Sequence, residues 1–220
     1  MTYNPIAISA LAADVVSFES AVPTNIIWVS NSGSDSNPGG ETSPFKTIQA
    51  AVKAAKPGTA IMVKEGTYTE NVDLLGRSGT ADKPIWIVSA DGPGAANIVA
   101  ASASKPVIVG YGISNVVIKG FELIGGTEGI KLTQSGNTLT KLVNSVVIED
   151  NIVHGQSVDG IKTAQTVNTA IVGNTVYDIK TQEGIDNVYM RNGVIANNEV
   201  YDIRGLSGIV VKAGSSNVKI

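Results

Sequence analysis

Residues 170–185 read AIVGNTVYDIKTQEGI, and residues 194–209 read VIANNEVYDIRGLSGI. The two segments align without a gap. Two earlier segments, Val116–Ile130 and Val146–Ile161, align with them. Each copy opens on a short apolar run and closes on Gly-Ile, at Gly129-Ile130, Gly160-Ile161, Gly184-Ile185 and Gly208-Ile209. A fixed period of strand-sized pieces is the signature of a solenoid, because one copy is too small to bury its own apolar face and stacking supplies the core.

The columns across copies say more than the period. Asn151, Asn174 and Asn198 follow the first strand of their copies, with Phe121 in that place in the first copy. In a parallel β-helix such positions stack at the inter-strand spacing of about 4.8 Å. Asparagine there can adopt a left-handed turn and bond up the column. Val153, Val176 and Val200 fit an inward column. A sandwich or up-and-down barrel would give period-two alternation without aligned turn residues. The expected fold is therefore all-β: a right-handed parallel β-helix with three-stranded rungs.

Composition agrees. The chain has 220 residues with 24 glycines, 5% aromatic and 16% charged residues, which allows one sizeable core. A formal charge of −3 gives no general basic surface, so nucleic acid is not an expected partner. With no cysteine, thiolate metal sites and disulfides are excluded, and the one histidine, His154, makes a histidine zinc site improbable. No run is long and apolar enough for a membrane span. The mildly apolar stretch 6–16 lacks a basic region before it, so no classical signal peptide is visible.

The sequence divides into an N-terminal segment, 1–24, expected to be a strand or extended piece packed on the solenoid or else partly disordered, and the solenoid itself, 25–220. A helix is expected at about 44–56, with Ser43 as N-cap, Pro44 in the first turn and Pro57-Gly58 as the stop. Phe45, Ile48, Ala51, Val52 and Ala55 share one face, which suits a cap over the first rung. The chain ends on Val218 and Ile220, which read as the start of a further rung. Truncation at the C-terminus and self-association through this last rung are the expectations.

The block WVSNSGSDSNPGGETSPFKTIQAAVKAAKPGTAIMVKEGTYTENV (28–72) resembles the opening of bacterial parallel β-helix proteins of the pectate-lyase-like superfamily. It carries a Gly-x-Asp-x-Asn-Pro-Gly loop (Gly33, Asp35, Asn37, Pro38, Gly39), then Pro44-Phe45 with Thr47-Ile48, Pro57-Gly58, and Gly66 with Tyr68. The resemblance implies a secreted or cell-surface bacterial protein acting on an acidic polysaccharide. Lyases of this group abstract the proton beside a uronate carboxylate with Lys or Arg, while Ca2+ neutralises the acid. A C-5 epimerase of alginate type would share that step. Other members are not enzymes, so a structural or adhesive module of a larger secreted protein is the alternative.

Two columns fit the lyase reading. Glu128, Asp159 and Glu183 precede the Gly-Ile pairs and are candidate calcium ligands; oxygen donors at this density suit that ion. Lys131 and Lys162 follow the pairs. Lys162 is the candidate base with Lys131 as its neighbour, since adjacent like charges favour a neutral amine. Lys212 opens a stretch similar to the Lys-Ser-x-x-Asn run of some alginate and chondroitin lyases, although Ala213 and Gly214 intervene before Ser215. Arg191 and Arg204 could grip a substrate carboxylate, and Tyr177 and Tyr201 could stack on sugar rings. Ordinary solubilising charge and a tyrosine packing ladder explain the same residues, and His154 and Asp35 read as turn residues.

Overall fold

The computed structural model describes residues 4, 6–16, 18, 21–136 and 141–220. Every strand pair among them is parallel, and the strands stack on three faces. Face one holds Asn25–Val29, Thr59–Val63, Ile85–Ser89, Ser114–Lys119, Val143–Glu149, the second halves of Asp159–Val172 and Ile185–Ala196, and Ser216–Lys219. Face two holds Gly66–Thr69, Ala96–Val99, Phe121–Ile124, Ile152–His154, Thr175–Tyr177 and Glu199–Val200. Face three holds Val72–Asp73, Ile108–Tyr111, Glu128–Thr133, the first halves of the two long strands, and Ile209–Lys212. The chain visits the faces in turn, as a right-handed parallel β-helix does.

Each face contributes an apolar column. Ile27, Ile61, Ile87, Ile118, Ile148, Ile171 and Ile195 stack in register on face one. Tyr68, Ile98, Leu123, Val153, Val176 and Val200 stack on face two, and Val72, Ile108, Ile130, Ile161, Ile185 and Ile209 on face three. Nearly all are fully buried, so the core is a filled prism.

The asparagine column is present, and its geometry differs from expectation in one respect. The left-handed residue is the one before each asparagine: Asp150 (φ 54°), Gly173 (φ 69°) and Asn197 (φ 56°). The asparagine itself points inward. Asn151 Nδ2 donates to Asn174 Oδ1 at 3.0 Å, and Asn174 Nδ2 to Asn198 Oδ1 at 3.0 Å. The same oxygens accept the backbone N–H of the asparagine in the rung before. A buried bend thereby satisfies its own polar groups. The Gly-Ile column has a steric cause. A Cβ on Gly184 would lie 2.6 Å from the carbonyl oxygen of Gly208, and one on Gly160 would lie 2.5 Å from that of Gly184.

The capping helix is shorter than the sequence suggests, spanning Ile48–Ala54, and its N-cap is Thr47 instead of Ser43. Phe45 is held as an extended residue: its N–H donates to Trp28 O and its carbonyl accepts from Ser30 N. Two carboxylates fix the helix start. Asp35 accepts from the N–H groups of Lys46 and Thr47 and from Thr47 Oγ1; Glu70 accepts from the N–H groups of Ile48 and Gln49. Asp35 is thus an anchor for a turn. Ile48, Ala51, Val52 and Ala55 close the core, with Phe45 partly buried beside them.

The N-terminal segment is more structured than a plain extended piece. A helical turn, Ala10–Ala13, is capped by Ser9. Ala12, Val16 and Phe18 pack on the outer side of face one against Met62, Trp86, Val88, Val117, Val147 and Ala170. Covered inside and out, the strands of this face read as unbroken apolar runs. Beneath the segment, Lys119 pairs with Glu149 at 3.3 Å and donates to Ala7 O, while Glu149 accepts from Ser9 N.

Candidate functional site

The site lies on face three, where the repeat changes sign. Register places Glu128 beside Asp159, and Lys131 beside Lys162, which in turn stands beside Asp186. In the first of these rungs the charges pair locally: Lys131 Nζ lies 2.6 Å from Glu128 Oε1. The two lysines are neighbours in register as expected, and Lys131 turns to its own carboxylate. Glu128 is likewise occupied. In the second rung Lys162 Nζ lies 3.8 Å from Asp159 and forms a closer ion pair with Asp186 on the next rung.

Asp159, Glu183 and Asp186 form the acid cluster. One carboxylate oxygen of each lies within 4.8 Å of the other two, and all three residues are buried. Lys212 reaches in from the following rung, 3.1 Å from Glu183 Oε1 and 3.1 Å from Asp186 Oδ1. Glu183 Oε2 accepts no hydrogen bond among the described residues. Burial pushes the Asp159 carboxyl above the usual carboxylate range and, with its link to Glu183, outweighs the Glu183 N–H bond and Lys162. Three converging buried carboxylates are a donor set suited to a hard divalent cation. Two of the expected ligands, Asp159 and Glu183, lie in this cluster together with Asp186, while Glu128 pairs with Lys131.

A family described as "Protein of unknown function (DUF1565)" matches residues 31–74. Pectate lyase L of Dickeya chrysanthemi is 33% identical over 144 residues, covering 59% of this chain and 34% of that protein. Uncharacterized protein YwoF of Bacillus subtilis is 31% identical over 137 residues, covering 59% of this chain and 28% of that protein. The chain thus spans about a third of the length of these curated relatives. Among solved structures, an alginate lyase from Paenibacillus sp. superposes with a TM-score of 0.69 at 20% identity, over 89% of this chain and 64% of that one. Pectate lyase Pel9A gives 0.53 at 17% identity, over 86% and 58%.

The chain is a parallel β-helix protein similar in part to pectate lyase L.

On this β-helix the other expected site residues go to two places. Tyr177 and Tyr201 lie on face two, stacked on each other and on His154, with centroids 5.1 and 4.7 Å apart. Tyr177 is stacked on both ring faces, while Tyr201 ends the ladder and is 47% exposed. His154 Nε2 lies 3.0 Å from Glu122. Arg204 follows in the next turn and is spoken for by Asp178 at 2.8 Å and Asp202 at 3.4 Å. Arg191 alone of the four shares a strand, Ile185–Ala196, with the acid cluster.

Asp186 follows Gly184-Ile185, at the place where the two preceding copies carry Lys131 and Lys162. The signal was the sign reversal itself, since a carboxylate standing where two rungs carry lysine must face the preceding amine. A second asparagine ladder went unread. Asn144, Asn168, Asn192 and Asn217 bond in sequence at the corner between faces three and one, with Asn168 and Asn192 at φ 51° and 54°.

Proposed function

We propose that this protein is a calcium-dependent polysaccharide lyase that cleaves an acidic, uronate-containing polymer by β-elimination outside the cytoplasm. One observation carries the reading: a buried Asp159–Glu183–Asp186 cluster whose carboxylates converge within 4.8 Å, flanked by the amines of Lys162 and Lys212. The three carboxylates would hold the ion. Calcium, when bound, would neutralise the uronate carboxylate and favour charge building up beside it.

Of the two flanking lysines, Lys212 is the better base. Lys162 sits between Asp159 and Asp186, less than a quarter exposed, which suits a fixed counter-ion. Lys212 approaches from the open side with 40% of its side chain exposed. Its neutral amine would take the proton from the carbon next to the uronate carboxylate. The C–H electron pair becomes the new C=C bond, and the glycosidic oxygen on the adjacent carbon leaves with its bonding pair and is protonated.

The test is ultraviolet absorbance of the unsaturated product on pectate, alginate and glycosaminoglycan, with calcium and with chelator. Calcium-dependent absorbance on any of them supports the reading. A folded protein inactive on all of them would favour a structural or adhesive solenoid, for which Lys131–Glu128 and Lys162–Asp186 serve as stabilising pairs. Uronate isomerisation without an absorbing product would point to an epimerase.

A further inference from the structure

We propose that the corner cleft lined by Leu142, Gln165, Thr166, Tyr189 and Arg191 is a second saccharide subsite, which takes a carboxylate-bearing sugar next to the one at the acid cluster. The substrate class rests on the proposed function above; the cleft itself rests on its own geometry.

Continuity comes first. The strand Ile185–Ala196 carries Asp186, bends at Tyr189 (φ 54°) and continues to Arg191. Val188, between them, is in register with Lys212, whose amine reaches back to Glu183 and Asp186. The cleft therefore begins where the acid cluster ends. Three residues of strand from Asp186 to Tyr189 span about 10 Å. That is further than one pyranose ring reaches, so the cleft would hold a neighbouring residue of the same polymer.

The chemistry is complementary to that of the acid cluster. No acidic residue lines the cleft. Arg191 is exposed and has no carboxylate partner among the described residues, unlike Arg204. A free guanidinium is a bidentate carboxylate receptor. Gln165 Oε1 accepts from Thr133 Oγ1, which leaves the amide NH2 to donate outward. Thr166 is buried, and its hydroxyl makes no hydrogen bond among the described residues. Tyr189 is 47% exposed, with Gly214 lying so close that a Cβ there would sit 2.7 Å from the ring. The ring is thus braced on one side and open on the other, as a platform for a sugar needs.

The experiment is calorimetric titration of oligogalacturonates and oligoalginates of two to six residues, and of their methyl esters, into the parent, Arg191→Gln and Arg191→Lys. The inactive background Lys212→Ala, with calcium present, prevents turnover. The expectation is that Arg191→Gln weakens the longer acids about tenfold or more and leaves the dimers unchanged, in line with one charged hydrogen-bonded contact. Arg191→Lys should recover only part of the loss, and the esters should be insensitive to both. Equal loss at every length, or no loss, would overturn the subsite, as would failure of the parent to bind any acidic oligomer. Arg191-dependent binding by a parent that cleaves nothing would keep the subsite and remove the lyase chemistry.

Discussion

Asp186 stands in register with Lys162 on the neighbouring strand, and the two side chains form an ion pair on face three. Asp186 is fully buried, and Lys212 contacts it from the other side. One carboxylate thus joins two rungs of the solenoid and completes the acid cluster with Asp159 and Glu183.

Asp186→Asn should cost stability and cation binding together. It leaves Lys162 and Lys212 facing a neutral amide, and the loss of charged hydrogen-bond partners should lower unfolding free energy by about 1–3 kcal/mol. Calcium should no longer raise the melting temperature. Urea unfolding and a calcium titration followed by thermal shift measure both. A variant that still gains stability from calcium as the parent does would exclude Asp186 from the ligand set.

The pH dependence follows from Asp159, whose carboxyl burial holds above its ordinary range. In the metal-free protein the unfolded chain releases this proton first as pH rises. The Asp159 contribution to stability is therefore greatest below the ordinary aspartate range and is lost as pH climbs towards the raised value. A cation needs the ionised form, so calcium affinity should increase across that same window. Thermal shift with and without calcium, from pH 4 to 8, checks both signs. A calcium effect that shrinks with rising pH would contradict the assignment.

The asparagine ladder gives a test of the fold. Asn174 is fully buried; its amide bonds Ile148 O and Asn198 Oδ1, and its oxygen accepts from Asn151. Asn174→Ala orphans several of these groups at once, for an expected loss of roughly 3 kcal/mol. An unchanged denaturation midpoint would show that water fills the gap at no cost.

The rungs were legible because stacking imposes a physical penalty on every departure. Gly160 and Gly184 have no room for a Cβ, and Asn151 and Asn174 must satisfy a buried bend, so these residue types recur at a fixed spacing. The helix start was misplaced because Ser43-Pro44 is locally a good N-terminus, while Phe45 is claimed by pairing with the strand Asn25–Val29, a contact that local sequence does not encode. The charged columns were legible as columns but not as pairs. Whether Lys131 faces Lys162 or Glu128 depends on rotamers, and Glu128 captured it. Tyr189 went unread for a related reason: its exposure comes from a left-handed bend inside a long strand, which a tyrosine does not advertise.

The last prediction separates the two lysines. Lys162 lies against two buried carboxylates, Asp159 and Asp186. Removing it strands buried charge, and Lys162→Ala should lose roughly 3 kcal/mol, the lower end of the cost of breaking a buried pair, since Lys212 still faces Asp186. Lys212 is more exposed but faces the buried Glu183 and Asp186, so Lys212→Ala should stay folded with a stability loss of about 1–3 kcal/mol. If Lys212 is the base, its alanine variant should lose at least 100-fold in kcat, as removal of a general base does, while KM stays within a few-fold. Parental kcat in Lys212→Ala, combined with a stable but inactive Lys162→Ala, would transfer the role of base to Lys162.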